Sequence, residues 1–134
     1  MIVVDTNIIC YQWMKFNLAE EVERALTKDP DWIVPFLWRS EFRNALAGAL
    51  RTKAVNLAAA LKIARTAERQ FRGREFFVSS DAILALVAMS KSSAYDCEFV
   101  ALAQERQVPL LTVDRGLLRD FPGTAISLSE FCKA

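Results

Sequence analysis

The sequence has no histidine. That removes histidine general bases, Ser-His and Cys-His nucleophile pairs, and the common His-ligated zinc sites together. Only three cysteines occur, Cys10, Cys97 and Cys132, with no CxxC among them. A disulfide framework and a thiolate metal site are both excluded, and the cysteines read as small core residues in a reducing cytosol. Glycine is scarce, at positions 48, 73, 116 and 123, so no GxGxxG or Walker loop exists to cradle a nucleotide. The longest apolar run covers residues 82–89, far short of the roughly 18 residues that suggest a membrane span. No basic leader precedes the apolar residues 2–4, so a signal peptide is not expected and the expected location is the cytoplasm. Net charge is only +1, which gives no strong global field toward nucleic acid or membrane. Any catalysis must therefore run on carboxylates, hydroxyls, Lys, Arg or a hard metal.

What remains is a chain of 134 residues, 53% apolar and 25% charged, enough for one ordinary domain spanning 1–134. Short β-branched or apolar runs at 2–4, 32–34, 75–78, 109–113 and 124–127 read as strands. Between them lie helical patterns at 7–16, 18–28, 35–53, 56–72, 93–107 and 114–120. A further helix is capped by Ser79 or Ser80 and runs to 91, and the chain closes on a helical turn. Phe42, Ala45, Leu46, Ala49 and Leu50 form the apolar stripe of the longest helix. Strands that are continuously apolar and alternate with helices predict an α/β fold. Its form is a three-layer α/β/α sandwich around a central, mostly parallel sheet.

Charge is unevenly distributed. Residues 51–74 carry seven basic side chains and one acidic one, within an otherwise acidic chain. Lys62, Arg65, Arg69 and Arg72 recur at helical spacing and form one stripe. Such a stripe suits either a solvated face or a surface that tracks phosphates, which makes these four candidate contacts for a phosphate backbone.

The acidic residues that draw attention are Asp5, Glu41, Asp96 and Asp114. Singly, each has an ordinary role: Asp5 and Asp114 cap helices, Asp96 sits three residues after Ser93 in a capping pattern, and Glu41 flanks an apolar stripe. Together they suggest more. Asp5 and Asp114 both follow strands, and open parallel sheets bind ligands beyond the carboxyl ends of their strands. Clustered carboxylates require a cation to offset their repulsion. Oxygen donors without His or Cys select Mg²⁺ or Mn²⁺, which suit phosphate-ester chemistry.

Four segments carry a family resemblance. They are Val3-Val4-Asp5-Thr6-Asn7; Ser40-Glu41-Phe42-Arg43-Asn44-Ala45-Leu46; Ser93-Ala94-Tyr95-Asp96 followed by Phe99-Val100-Ala101-Leu102-Ala103; and Leu111-Thr112-Val113-Asp114-Arg115-Gly116-Leu117-Leu118. In this order the chain resembles a PIN domain of the VapC type, the ribonuclease toxins of prokaryotic toxin–antitoxin modules. The resemblance implies an Mg²⁺-dependent endoribonuclease, with Mn²⁺ as a substitute. Asp5 and Asp96 would touch the metal and Asp114 would complete the site. Glu41 would hold a metal or orient the attacking water. Thr6, Asn7 and Thr112 match positions that line the centre. The pattern departs at Arg115-Gly116, where many relatives carry another acidic or amide residue. An RNA substrate, a homodimer and a cognate antitoxin are further implications, and no membrane association is expected. Two neighbouring readings are a housekeeping RNA-processing nuclease and a non-catalytic PIN-like binding subunit. A haloacid-dehalogenase-like phosphatase would need Asp-x-Asp where the chain has Asp5-Thr6-Asn7, and a receiver domain would need an acidic pair there.

Overall fold

The computed structural model describes residues 1–14 and 17–133. Five strands form one sheet: β1 (Ile2–Val4), β2 (Trp32–Pro35), β3 (Glu75–Phe76), β4 (Leu110–Thr112) and β5 (Ala125–Ser127). Their order is β3-β2-β1-β4-β5 and every pairing is parallel. Among the described residues, helices α1 (Thr6–Met14), α2 (Ala19–Lys28), α3 (Leu37–Arg51), α4 (Leu57–Gln70), α5 (Ser80–Ala88), α6 (Ala94–Arg106), α7 (Arg115–Asp120) and α8 (Leu128–Lys133) flank it. The result is the expected three-layer α/β/α sandwich. The expected end of the first helix at Phe16 lies outside the described residues.

The strands are apolar on both faces because helices cover both. Ile2, Val3, Val4, Leu110 and Leu111 are fully buried. Helix α6 lies against β1, β2 and β4 with α5 packed on it, while α1, α3 and α4 pack together. Trp38 stacks obliquely on Phe42 and Phe71, with ring centroids 5.5 and 4.9 Å away. These aromatic contacts tie α3 to the end of α4.

Side-chain caps set several helix starts. Asn56 accepts from the amide of Ala59, Ser79 from Ala82, Ser93 from Asp96 and Asp114 from Leu117. Pro35 departs from expectation. It ends β2 rather than opening a helix, and α3 begins two residues later. As the terminal strand residue its missing N–H costs no ladder bond, and the next amide, Phe36, donates to the Phe76 carbonyl at 3.2 Å. Strand β3 is two residues long rather than the expected four, so Phe77 and Val78 run on beyond the sheet.

Candidate active site

The carboxyl ends of β1 and β4 lie side by side, since Val4 pairs with Leu111. This register places Asp5, the residue after β1, beside Thr112, the last of β4. The Thr112 hydroxyl donates to Asp5 Oδ2 at 2.7 Å, and the Thr6 amide donates to Asp5 Oδ1 at 2.8 Å. Thr112 also accepts the Asp114 amide at 3.0 Å, so one buried hydroxyl joins both strand ends. On the other side, the Thr6 hydroxyl donates to Glu41 Oε1 of α3 at 2.7 Å. Asp96 stands in the first turn of α6, fixed by the bond from its amide to Ser93 Oγ at 3.1 Å.

Electrostatics show that these carboxylates share one region. Burial pushes the Asp5 carboxyl up to about 7, and the charges of Asp96 and Glu41 push the same way. The two hydrogen bonds to Asp5 oppose this without cancelling it. Glu41 is raised by its own burial and then by Asp96 and Glu98, against the bond from Thr6. Asp96 is raised by burial and by Asp114. Even the Cys10 thiol is pushed up to about 12, by burial first and then by Asp5 and Glu41. The structure thus sets Asp5 and Glu41 on either side of Thr6, and Asp5 and Asp114 on either side of Thr112, while Asp96 acts electrostatically on Asp5 and Glu41 and is acted on by Asp114.

The capping roles are partly real. Asp114 Oδ1 accepts the Leu117 amide at 3.1 Å while Asp114 also contributes charge to the rim. Glu98 is a residue that sequence spacing did not single out. It is a carboxylate inside the otherwise apolar run 97–103 of α6, and that interruption was its signal. Burial raises its carboxyl above the usual range.

The donor set fits a hard cation. All candidate donors are oxygen, Asp5 is held in a setting that penalises its charge, and the buried Asn7 Oδ1 has no hydrogen-bond partner among the described residues. Among the described residues, no three His, Cys, Asp or Glu side chains stand so that they could hold a metal ion together as they are placed. Protein donors hold the carboxylates instead: Thr6 and Thr112 hold Asp5, Thr6 holds Glu41, and the Leu117 amide holds Asp114.

The basic stripe lies elsewhere on α4. Arg65, Arg69 and Arg72 line a cavity of about 310 Å³ together with Arg39, Glu68, Gly73 and Glu75. Lys62 is exposed on the same helix, outside that lining. None of the four rim carboxylates lines the cavity. Arg39 is engaged there by Glu75, through bonds of 2.6 and 2.8 Å, and that carboxylate also accepts from Trp38.

The sequence matches the PIN domain model over residues 2–122. The chain belongs to the PIN domain family. Solved structures share this fold. PAE2754 from Pyrobaculum aerophilum superposes with a TM-score of 0.76 at 20% identity, over 98% of this chain and 92% of that one. FitAcB from Neisseria gonorrhoeae gives 0.75 at 19% identity, over 96% and 99%. A toxin–antitoxin complex from Klebsiella pneumoniae gives 0.69 at 19% identity, over 96% and 98%. No curated protein sequence matches the chain. Among the described residues of this PIN domain, no helix is long and apolar enough to cross a membrane.

Proposed function

We propose that this PIN domain, a single unit over 1–134, is an Mg²⁺-dependent endoribonuclease and the toxin of a VapBC-type module. The observation that carries the reading is the hydrogen-bonded run Glu41–Thr6–Asp5–Thr112–Asp114 at the carboxyl ends of β1 and β4, with Asp96 adding charge beside it and Asp5 buried and pushed up to about 7. A fold gains nothing from assembling carboxylates that repel one another, so their proximity argues for a cationic ligand. Asp5, Asp96 and Asp114, with Glu41, would hold Mg²⁺ or Mn²⁺. When bound, such an ion acts as a Lewis acid toward a phosphate oxygen and makes water more acidic. The chain's own part is to aim the carboxylates. Thr6 and Thr112 orient Asp5, Thr6 orients Glu41, and the Leu117 amide orients Asp114. Glu41 is suited to accept a proton from the attacking water, because burial and neighbouring charge raise its affinity for one.

A toxin role draws support from the Klebsiella neighbour, which is a toxin–antitoxin complex. On this reading the chain works in the cytoplasm on RNA and is silenced by a cognate antitoxin. It also pairs as a homodimer, and the exposed apolar Leu84 on α5 and Met89 just beyond it suit that contact. The test is induced expression of the wild type against Asp5→Asn, with growth and RNA integrity followed, beside cleavage by the purified protein with Mg²⁺ or EDTA. Wild-type cleavage in Mg²⁺ that is lost in EDTA and in Asp5→Asn is expected. Undiminished cleavage in excess EDTA sinks the mechanism. Cleavage without growth arrest favours RNA processing over a toxin, and no cleavage under any condition favours a binding subunit.

A further inference from the structure

Two aromatic rings remain unexplained by folding. Phe77 is 85% exposed and Phe36 is 37% exposed, yet their rings stack with centroids 4.5 Å apart and planes 26° from parallel. A fold gains little from burying so small a part of Phe77. Their position on the sheet is informative. Phe36 follows Pro35, the last residue of β2, and Phe77 follows Phe76, the last of β3, and Pro35 and Phe76 are register partners. Val3 pairs with Ile33, so continuing the register sets Asp5 beside Pro35. Phe36 therefore lies one strand over and one residue beyond Asp5, on the order of 6 Å between Cα positions from strand spacing and rise. Both rings stand on the carboxyl-end rim that holds the acidic centre.

The mounting is rigid. The Phe36 amide is bonded to the Phe76 carbonyl at 3.2 Å, and Trp38 and Arg39 at the start of α3 grip Glu75 of β3. Phe76 is itself covered by the Arg106 guanidinium, 4.0 Å from its ring centroid. Three residues past Phe77, Ser80 lines a cavity of about 240 Å³ with Tyr95 and Glu98, and Glu98 acts electrostatically on Glu41. The aromatic pair and the carboxylates are thus linked by the sheet register.

We propose that Phe36 and Phe77 form a stacking platform for one base of single-stranded RNA running across the acidic rim. The proposal rests on the nuclease reading and adds a substrate-positioning device to it. An acidic rim repels a polyanion, so a neutral contact is the kind that can hold RNA beside it. Stacking on an aromatic face is such a contact, it tolerates any base, and it requires the base to be unpaired. The open face of Phe77 supplies that surface.

The test uses the full-length protein, Ca²⁺ in place of Mg²⁺ to suppress turnover, and a short labelled single-stranded oligoribonucleotide. Phe77→Ala should weaken binding about 5- to 150-fold, the range for loss of one base stack. Phe77→Trp should bind at least as tightly as wild type. In a series of oligonucleotides with one abasic position each, one member should bind wild type weakly and lose nothing further with Phe77→Ala. In Mg²⁺, Phe77→Ala should raise KM and leave kcat at saturating RNA near the wild-type value. Cleavage with unchanged KM rejects the platform and leaves the nuclease reading standing. A drop in particle mass on Phe77→Ala, with no abasic position mattering to wild type, overturns the proposal in favour of a contact between two copies. Wild-type protein that neither binds nor cleaves RNA removes both readings.

Discussion

Thr112 reaches Asp5 across 107 positions of sequence, and its hydroxyl donates to the carboxylate at 2.7 Å from a fully buried site. The same oxygen accepts the Asp114 amide, so a single hydroxyl fixes two of the rim's acidic residues relative to each other. Exchanging it for a methyl group in Thr112→Val keeps the volume and removes both bonds. A buried hydrogen-bonding group left without its partner costs about 1–3 kcal/mol. The urea midpoint of Thr112→Val should fall accordingly, with a larger loss at pH 8, where Asp5 is ionised, than at pH 5. Equal midpoints at both pH values would show that the bond does not stabilise the charged form.

The Asp5 carboxyl carries a sign that can be checked without any substrate. Its ordinary value is 3.8 and burial raises it to about 7 in the folded protein. Between these values the folded state holds a proton that the unfolded state has lost. Stability from this group is therefore complete below about pH 4 and is lost as pH rises through about 7. Glu41 and Asp96 shift in the same direction. Metal-free protein should melt lower at pH 8 than at pH 6. Asp5→Asn, which removes the titrating group and one repelling charge, should raise the pH 8 melting temperature and flatten the dependence. Melting curves across this range in EDTA provide the check, and a wild type most stable at pH 8 would contradict it.

The basic residues along and just beyond α4 give a prediction in salt. Among the described residues, Lys62, Arg65, Arg69 and Arg72 make no ion pair, although Arg65, Arg69 and Arg72 share a cavity lining with Glu68 and Glu75. Each phosphate neutralised by such a group contributes roughly 0.7 to the slope of log affinity against log salt for a single strand. Changing all four to Gln should flatten the slope for RNA by about 1 to 3 and leave the rate at saturating RNA close to wild type. An unchanged slope, measured in Ca²⁺, would assign this face to something other than RNA.

Gly116 offers a test of how tightly Asp114 is held. A Cβ at this position would stand 3.1 Å from Asp114 Oδ1, the oxygen that caps α7. Alanine favours a helix over glycine by about 1 kcal/mol. Gly116→Ala should therefore leave the melting temperature near wild type, the helix gain offsetting a weakened Asp114 cap, while pushing that carboxylate aside and lowering cleavage. A variant as active as wild type would mean that Asp114 has freedom to move without consequence.

The three-layer fold was legible because β1 and β4 are continuously apolar, and a strand of that kind must be covered on both faces. The capping serines were legible for a local reason, since each bonds an amide three residues away. β3 was not readable at its true length. Phe77 and Val78 continue the apolar pattern, but β2 ends at Pro35, so there is no partner strand for them to join. Asp5 and Asp114 declared themselves by following strands. Glu98 showed only as a charge within an apolar run: it lies two positions from Asp96 on α6, a spacing that counting alone puts on another face of the helix, and its electrostatic effect on Glu41 of α3 is a tertiary relation that spacing does not carry.

The strand order has a consequence for synthesis. β1 is made first and occupies the middle of the sheet, but its neighbour on one side, β4, starts at Leu110. Until that segment leaves the ribosome, one edge of β1 is unpaired, Asp5 lacks the Thr112 hydroxyl, and Asp114 does not yet exist. Pairing so distant in sequence is also slow to form. A growing chain shorter than residue 114 thus lacks one of the four carboxylates, and the acidic centre cannot assemble before β4 and Asp114 have been made.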